Sequence, residues 1–110
     1  MDPLSRIYEW LRFMVVRNAS DLFLTAGFPP AIKLNGKISA IAKQSLTPID
    51  SATFAKALMS EKQQAEFATT HEANFAIYQP EVGRFRVNVF LQQGRTGIVM
   101  RHISTAIPRL

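Results

Sequence analysis

The sequence predicts an α+β domain: one antiparallel β-sheet with helices packed on one face. Three observations carry this reading. Apolar residues near the N-terminus recur at helical spacing. Two further short helical segments, each with its own capping signal, interrupt the middle of the chain. The flanking segments alternate apolar and polar residues with period two and are separated by turn residues. The element order is α, β, β, β, α, α, β, β, β, with the last three strands forming a meander.

The first helix follows from Asp2 as N-cap and Pro3 at the first helical position. Leu4, Ile7, Tyr8, Leu11, Met14 and Val15 then form one apolar stripe, with Trp10 and Phe13 off it. These two aromatics either widen the buried face or form a docking surface, since aromatics are enriched at interfaces. Asn18-Ala19-Ser20-Asp21 breaks the helix, Leu22 to Thr25 is a short strand, and Gly27-Phe28-Pro29-Pro30 turns. Ala31 to Leu34 and Lys37 to Ile41 flank Asn35-Gly36, a hairpin signal because the tight turn needs positive φ at both positions. Thr47, Pro48 and Asp50 start the second helix, which presents Phe54 and Leu58. Ser60 and Gln63 form the capping box of the third, anchored by Phe67. Ala73, Phe75 and Ile77 alternate inward along the next strand. Turns at Pro80 to Gly83 and Gln92 to Arg95 set off the last two strands. Thr105 to Leu110 carries Pro108 and no periodicity, so residues 1–104 read as the domain and 105–110 as the start of a linker.

A chain of 110 residues fits one domain with a single core. With 47% hydrophobic and 19% charged residues it does not read as disordered. Cysteine is absent, which removes disulfides and thiolate metal sites. No apolar run approaches the ~20 residues of a membrane span. Glu9 and Arg12 interrupt the apolar segment from Ile7 to Val16, and no signal-peptide pattern precedes it. The expected location is cytoplasmic. A net charge of +5, from 13 Lys and Arg against 8 Asp and Glu, is dispersed along the chain. It suits nucleic acid, an acidic membrane surface, a phosphate ligand or simple solubility.

One strand concentrates the chemistry. In Gly83-Arg84-Phe85-Arg86-Val87-Asn88-Val89-Phe90, alternation puts Phe85, Val87, Val89 and Leu91 on one face and Arg84, Arg86 and Asn88 on the other. The planar fork of Arg matches phosphate or carboxylate bidentately. Arg84, Arg86 and Arg101 are the candidate anion contacts; otherwise they are solvated and pair with Glu on neighbouring strands.

Other chemistry finds little support. A Walker A loop needs G-x-x-x-x-G-K-[ST]; Gly36-Lys37 is followed by Ile38 and preceded by Ala31 where the first Gly belongs. His71 and His102 lack the spaced carboxylates or cysteines of a metal site. No G-x-S-x-G elbow occurs, and Glu61, Glu66, Glu72 and Glu81 form no acid–base pair. The RNA-binding strand signature also fits poorly. With Phe90 at its last position, Asn88 and Arg86 replace required apolar or small residues, and Phe85 lies on the wrong face. No catalytic residue and no cofactor are therefore expected for these residues alone, which read as a binding or interaction module.

Several motifs, in register along the chain, resemble the type IV pilus retraction ATPases, the PilT/PilU family. They are Ala19-Ser20-Asp21-Leu22-Phe23-Leu24-Thr25-Ala26-Gly27-Phe28-Pro29-Pro30, Lys33-Leu34-Asn35-Gly36-Lys37, His71-Glu72-Ala73-Asn74-Phe75-Ala76-Ile77, Gly83-Arg84-Phe85-Arg86-Val87, Ile98-Val99-Met100-Arg101 and Ile107-Pro108. Phe23 stands where PilT sequences usually carry His, and Asn74-Phe75-Ala76 where they tend to carry Asp-Phe-Ser. The chain thus resembles the PilU branch.

The resemblance implies an N-terminal, PAS-like domain of a hexameric secretion-type ATPase. A RecA-like domain carrying the nucleotide motifs would lie beyond Leu110. It implies ATP and Mg in the full-length protein, with Arg86 and Arg101, and Arg84 as a third contact, directed at the phosphates. A hairpin would bring these arginines together at one edge of the sheet. The implied partners are the RecA-like domain of a neighbouring subunit in a homo-hexamer, a partner retraction ATPase and the inner-membrane platform at the pilus base, with no nucleic acid. Trp10 and Phe13 are the candidate interface. From a different class, a stand-alone PAS-like sensor or basic anion- or nucleic-acid-binding module is the competing expectation.

Overall fold

A computed structural model describes residues 2–103. The expected linker, residues 105–110, and the last residue of the expected domain, Ser104, lie outside them. The elements are α1 (Pro3–Val16), β1 (Asp21–Thr25), β2 (Ala31–Leu34), β3 (Lys37–Ala40), α2 (Pro48–Leu58), α3 (Glu61–Thr70), β4 (Glu72–Gln79), β5 (Gly83–Gln92) and β6 (Arg95–Ile103). This is the expected order, and the structure is an α+β domain.

Local chemistry sets the element boundaries. Asp2 caps α1 by accepting from the Leu4 N–H. Thr47 with Asp50, and Ser60 with Gln63, close reciprocal capping boxes on α2 and α3, so two orphan donors at each helix start are satisfied. The β2–β3 hairpin turns on Asn35 (φ 53°) and Gly36 (φ 79°), the positive-φ pair the tight turn demands.

All strand pairs are antiparallel, and the sheet runs β3-β2-β1-β6-β5-β4. The β4–β5–β6 meander continues into the first hairpin through β1, which pairs with β6. One sheet face supplies Leu22, Leu24, Phe85, Val87, Val89, Ile98 and Met100 to the core, all essentially fully buried. Ile7, Leu11 and Met14 of α1 and Phe54 and Ala55 of α2 close over them. The inward residues of β4, Ala73, Phe75 and Ile77, are only half-buried, as befits an edge strand. Among the described residues, no helix is long and apolar enough to cross a membrane.

Candidate functional site

The helices cover one face of the sheet and leave the other open. Period-two alternation places Arg84 and Arg86 on the open face because Phe85 and Val87 are drawn into the core. Across the strands the register lines up Ala76, Arg86, Arg101, Asp21 and Lys33 in one row. The next row holds Asn74, Asn88, Val99, Phe23 and Ala31.

Arg86 and Arg101 are thus direct cross-strand partners. They lie on β5 and β6, both interior strands of the sheet, not at an edge as a hairpin alone would allow. β1 covers the far side of β6, and β4 covers the far side of β5. Like charges directly opposite one another destabilise a sheet. The repulsion is relieved on one side only: Arg101 Nε donates to Asp21 Oδ1 at 3.2 Å. The partner is therefore an Asp on β1, 80 residues upstream, not a Glu of an adjacent meander strand. Arg86 has no ion pair among the described residues.

The two arginines line a depression of about 420 Å³ together with Asn74, Asn88 and Val99. Asn88 Oδ1 is buried there with no hydrogen-bond partner. A buried acceptor left unpaired is costly, so it marks a place where a donor group or ordered water belongs. The depression can hold an anion between the two guanidiniums, while Asn88 Oδ1, an acceptor, calls for a donor or a water beside it. Arg84, one ladder step away on the same face, holds its guanidinium over the Tyr78 ring, 5.4 Å from the centroid. It does not line the depression.

Trp10 and Phe13 sit on the other layer of the molecule. Trp10 is half-buried, edge-on to Phe54 with centroids 5.4 Å apart, and Arg6 lies over its ring. Phe13 is 38% exposed under Arg17 and borders a groove with Ile32, Leu34 and Ile41. His71 ends α3 in a left-handed conformation, and His102 packs on the Phe85 ring.

Sequence reasoning missed two features. Asp21, read as part of a helix break, is the first residue of β1 and the acceptor for Arg101. Its alternation with Phe23 and Thr25 was the available signal for its face. The second is an almost wholly apolar groove of about 350 Å³ on the open face, lined by Phe23, Phe28, Pro29, Ala31 and Ile38. Phe28 and Ile38 are largely exposed.

No family model matches the chain. It is 45% identical over 100 residues to the type IV pilus ATPase PilU of Pseudomonas aeruginosa, covering 91% of this chain and 26% of PilU. It is 36% identical over 101 residues to the type IV pilus retraction ATPase PilT of the same organism, covering 92% of this chain and 29% of PilT. A crystal structure of the pilus retraction motor PilT with bound ADP superposes with a TM-score of 0.82 at 35% identity, over 98% of this chain and 31% of that one.

The chain belongs to the PilT/PilU family of type IV pilus ATPases.

Within the PilT/PilU family the higher identity is to PilU. The chain spans only about a quarter to a third of the length of these relatives. The ATPase DotB of Legionella pneumophila has the same fold, with a TM-score of 0.80 at 20% identity over 99% of this chain.

Proposed function

We propose that this chain is the N-terminal, PAS-like domain of a hexameric type IV pilus retraction ATPase, and that it brings Arg86 and Arg101 to the phosphates of ATP. In this reading a RecA-like domain outside the present sequence binds ATP and Mg and supplies the catalytic groups. The present residues alone turn over no ATP. Arg84 is a third, more distant contact. Trp10 and Phe13 belong to the surface that meets the RecA-like domain of a neighbouring subunit. The assembled motor works on the cytoplasmic side of the inner membrane, at the pilus platform, beside a partner retraction ATPase.

The observation that carries the reading is the Arg86–Arg101 pair. Two guanidiniums held opposite each other on a rigid sheet cost stability unless an anion comes between them. The ADP bound by the structurally similar PilT makes a nucleotide phosphate the anion of choice. An arginine that meets a terminal phosphate stabilises the charge of phosphoryl transfer and senses its loss. Contacts made only with the triphosphate would favour the closed arrangement of the two domains, so hydrolysis would release it.

The test is ATP turnover by the full-length parent, wild type beside Arg101→Ala, with residues 1–110 as control. The expected result is a fall of at least about tenfold, toward the 10³–10⁵ range of arginine fingers, with the hexamer intact by size exclusion. Unchanged turnover would leave Arg86 and Arg101 as solvated sheet residues and the domain as a packing surface.

A further inference from the structure

Asp21 is 4% exposed and is the one charged side chain among the buried residues described; the other buried polar residues are Ser51 and Thr96. A carboxylate taken from water needs a strong partner. Cations flank Asp21 on both neighbouring strands, Lys33 on β2 and Arg101 on β6. Among the described residues only Arg101 is bonded to it.

The form of that bond matters. Asp21 Oδ1 accepts a hydrogen bond from Arg101 Nε, and no other guanidinium hydrogen is bonded among the described residues. The guanidinium is planar and rigid, so a hold on Nε orients the whole fork. Arg101 remains 68% exposed and lines the depression it shares with Arg86. Its two terminal nitrogens thus stay available for a bidentate contact. A free Arg side chain would lose rotamer freedom on meeting a ligand, whereas a tethered one has already lost it. Arg86 has no such tether among the described residues, so the two arginines are not equivalent: one is oriented by a carboxylate, the other has no ion pair.

We infer that Asp21 is a positioning residue: its buried carboxylate holds Arg101 by Nε so that the terminal nitrogens meet the nucleotide phosphate. The inference rests on the phosphate reading of Arg101 given above and adds the residue that makes that contact directional. It also predicts how the site responds when the carboxylate is neutralised. Asp21→Asn adds one unit of positive charge beside the phosphates, so general attraction for ATP does not fall. What is lost is orientation, and misplacement by about 1 Å costs up to about a hundredfold in rate.

The experiment is a double-mutant cycle on the full-length parent, with kcat and KM for ATP measured on the intact hexamer. The expected result is that Asp21→Asn lowers kcat by about ten- to a hundredfold without raising KM. Combined with Arg101→Ala, it causes no loss beyond that of Arg101→Ala alone. A general packing defect would be felt again in the double variant, and such a further loss overturns the inference. Wild-type turnover in Asp21→Asn beside a crippled Arg101→Ala also overturns it, while leaving the phosphate reading intact. Wild-type turnover in Arg101→Ala removes both. Asp21→Ser, smaller and uncharged, is carried through the same cycle so that the outcome does not depend on one variant folding.

Discussion

Asp50 shows how much one side chain can settle. Its carboxylate accepts the Thr47 N–H at 2.9 Å, and that backbone bond is the main cause holding its pKa below the ordinary aspartate value. A depressed carboxylate pKa stabilises the fold above the unfolded value and loses that contribution as pH falls through the lower, folded value. Acid titration of stability should therefore show a limb in the lower carboxylate range that flattens in Asp50→Asn. Urea melts at stepped pH would read it; an identical acid limb in the variant would show that the cap is not coupled to folding. Asp50 was legible in the sequence because its partner stands three residues away. Asp21 was not, because its partner lies 80 residues away, and only the pairing of β1 with β6 joins them.

Helices and hairpins are decided by similarly short-range bonds. Ser60 accepts from the Gln63 N–H at 3.2 Å while Gln63 Oε1 accepts from the Ser60 N–H at 2.9 Å. Ser60→Ala removes one acceptor of this box, and α3 buries none of its residues fully, so packing cannot compensate. The expected cost is about 1 kcal/mol, read by chemical denaturation. No measurable change would mean that α3 frays without loss to the rest. The same locality explains why the elements emerged in the right order, with boundaries shifted by about a residue at β1, β3 and β6. Strand faces were legible too: Phe85 and Val87 are buried and Arg84 and Arg86 exposed because the alternation admits no other arrangement. The half-burial of Phe75 and Ile77 was not, since it depends on β4 lying at the sheet edge.

Across the whole molecule, the two faces of one sheet separate stability from binding. Phe85 is fully buried at the centre of the core, sandwiched in sequence between the exposed Arg84 and Arg86. Phe85→Ala should cost about 3–5 kcal/mol, a large share of the roughly 5–15 kcal/mol available to a domain. Arg86→Ala, on the other face, should cost little, because it relieves the like-charge repulsion with Arg101. Denaturation curves of the two variants side by side would check this; equal losses would mean that the open face also carries the fold.

Residue order by itself determined the element types, their caps, the two faces of β5 and the family resemblance, because each depends on neighbours a few positions apart or on motifs read in line. Tertiary structure decided the strand order, the direct opposition of Arg86 and Arg101 and the capture of Arg101 by Asp21. It also decided the juxtaposition of the arginine depression and the apolar groove on one open face. The physical reason is that alternation specifies which side of a strand a residue faces but not which strand lies beside it. That choice is made when the inward faces of β1, β2, β5 and β6, flanked by β4, close together under α1 and α2.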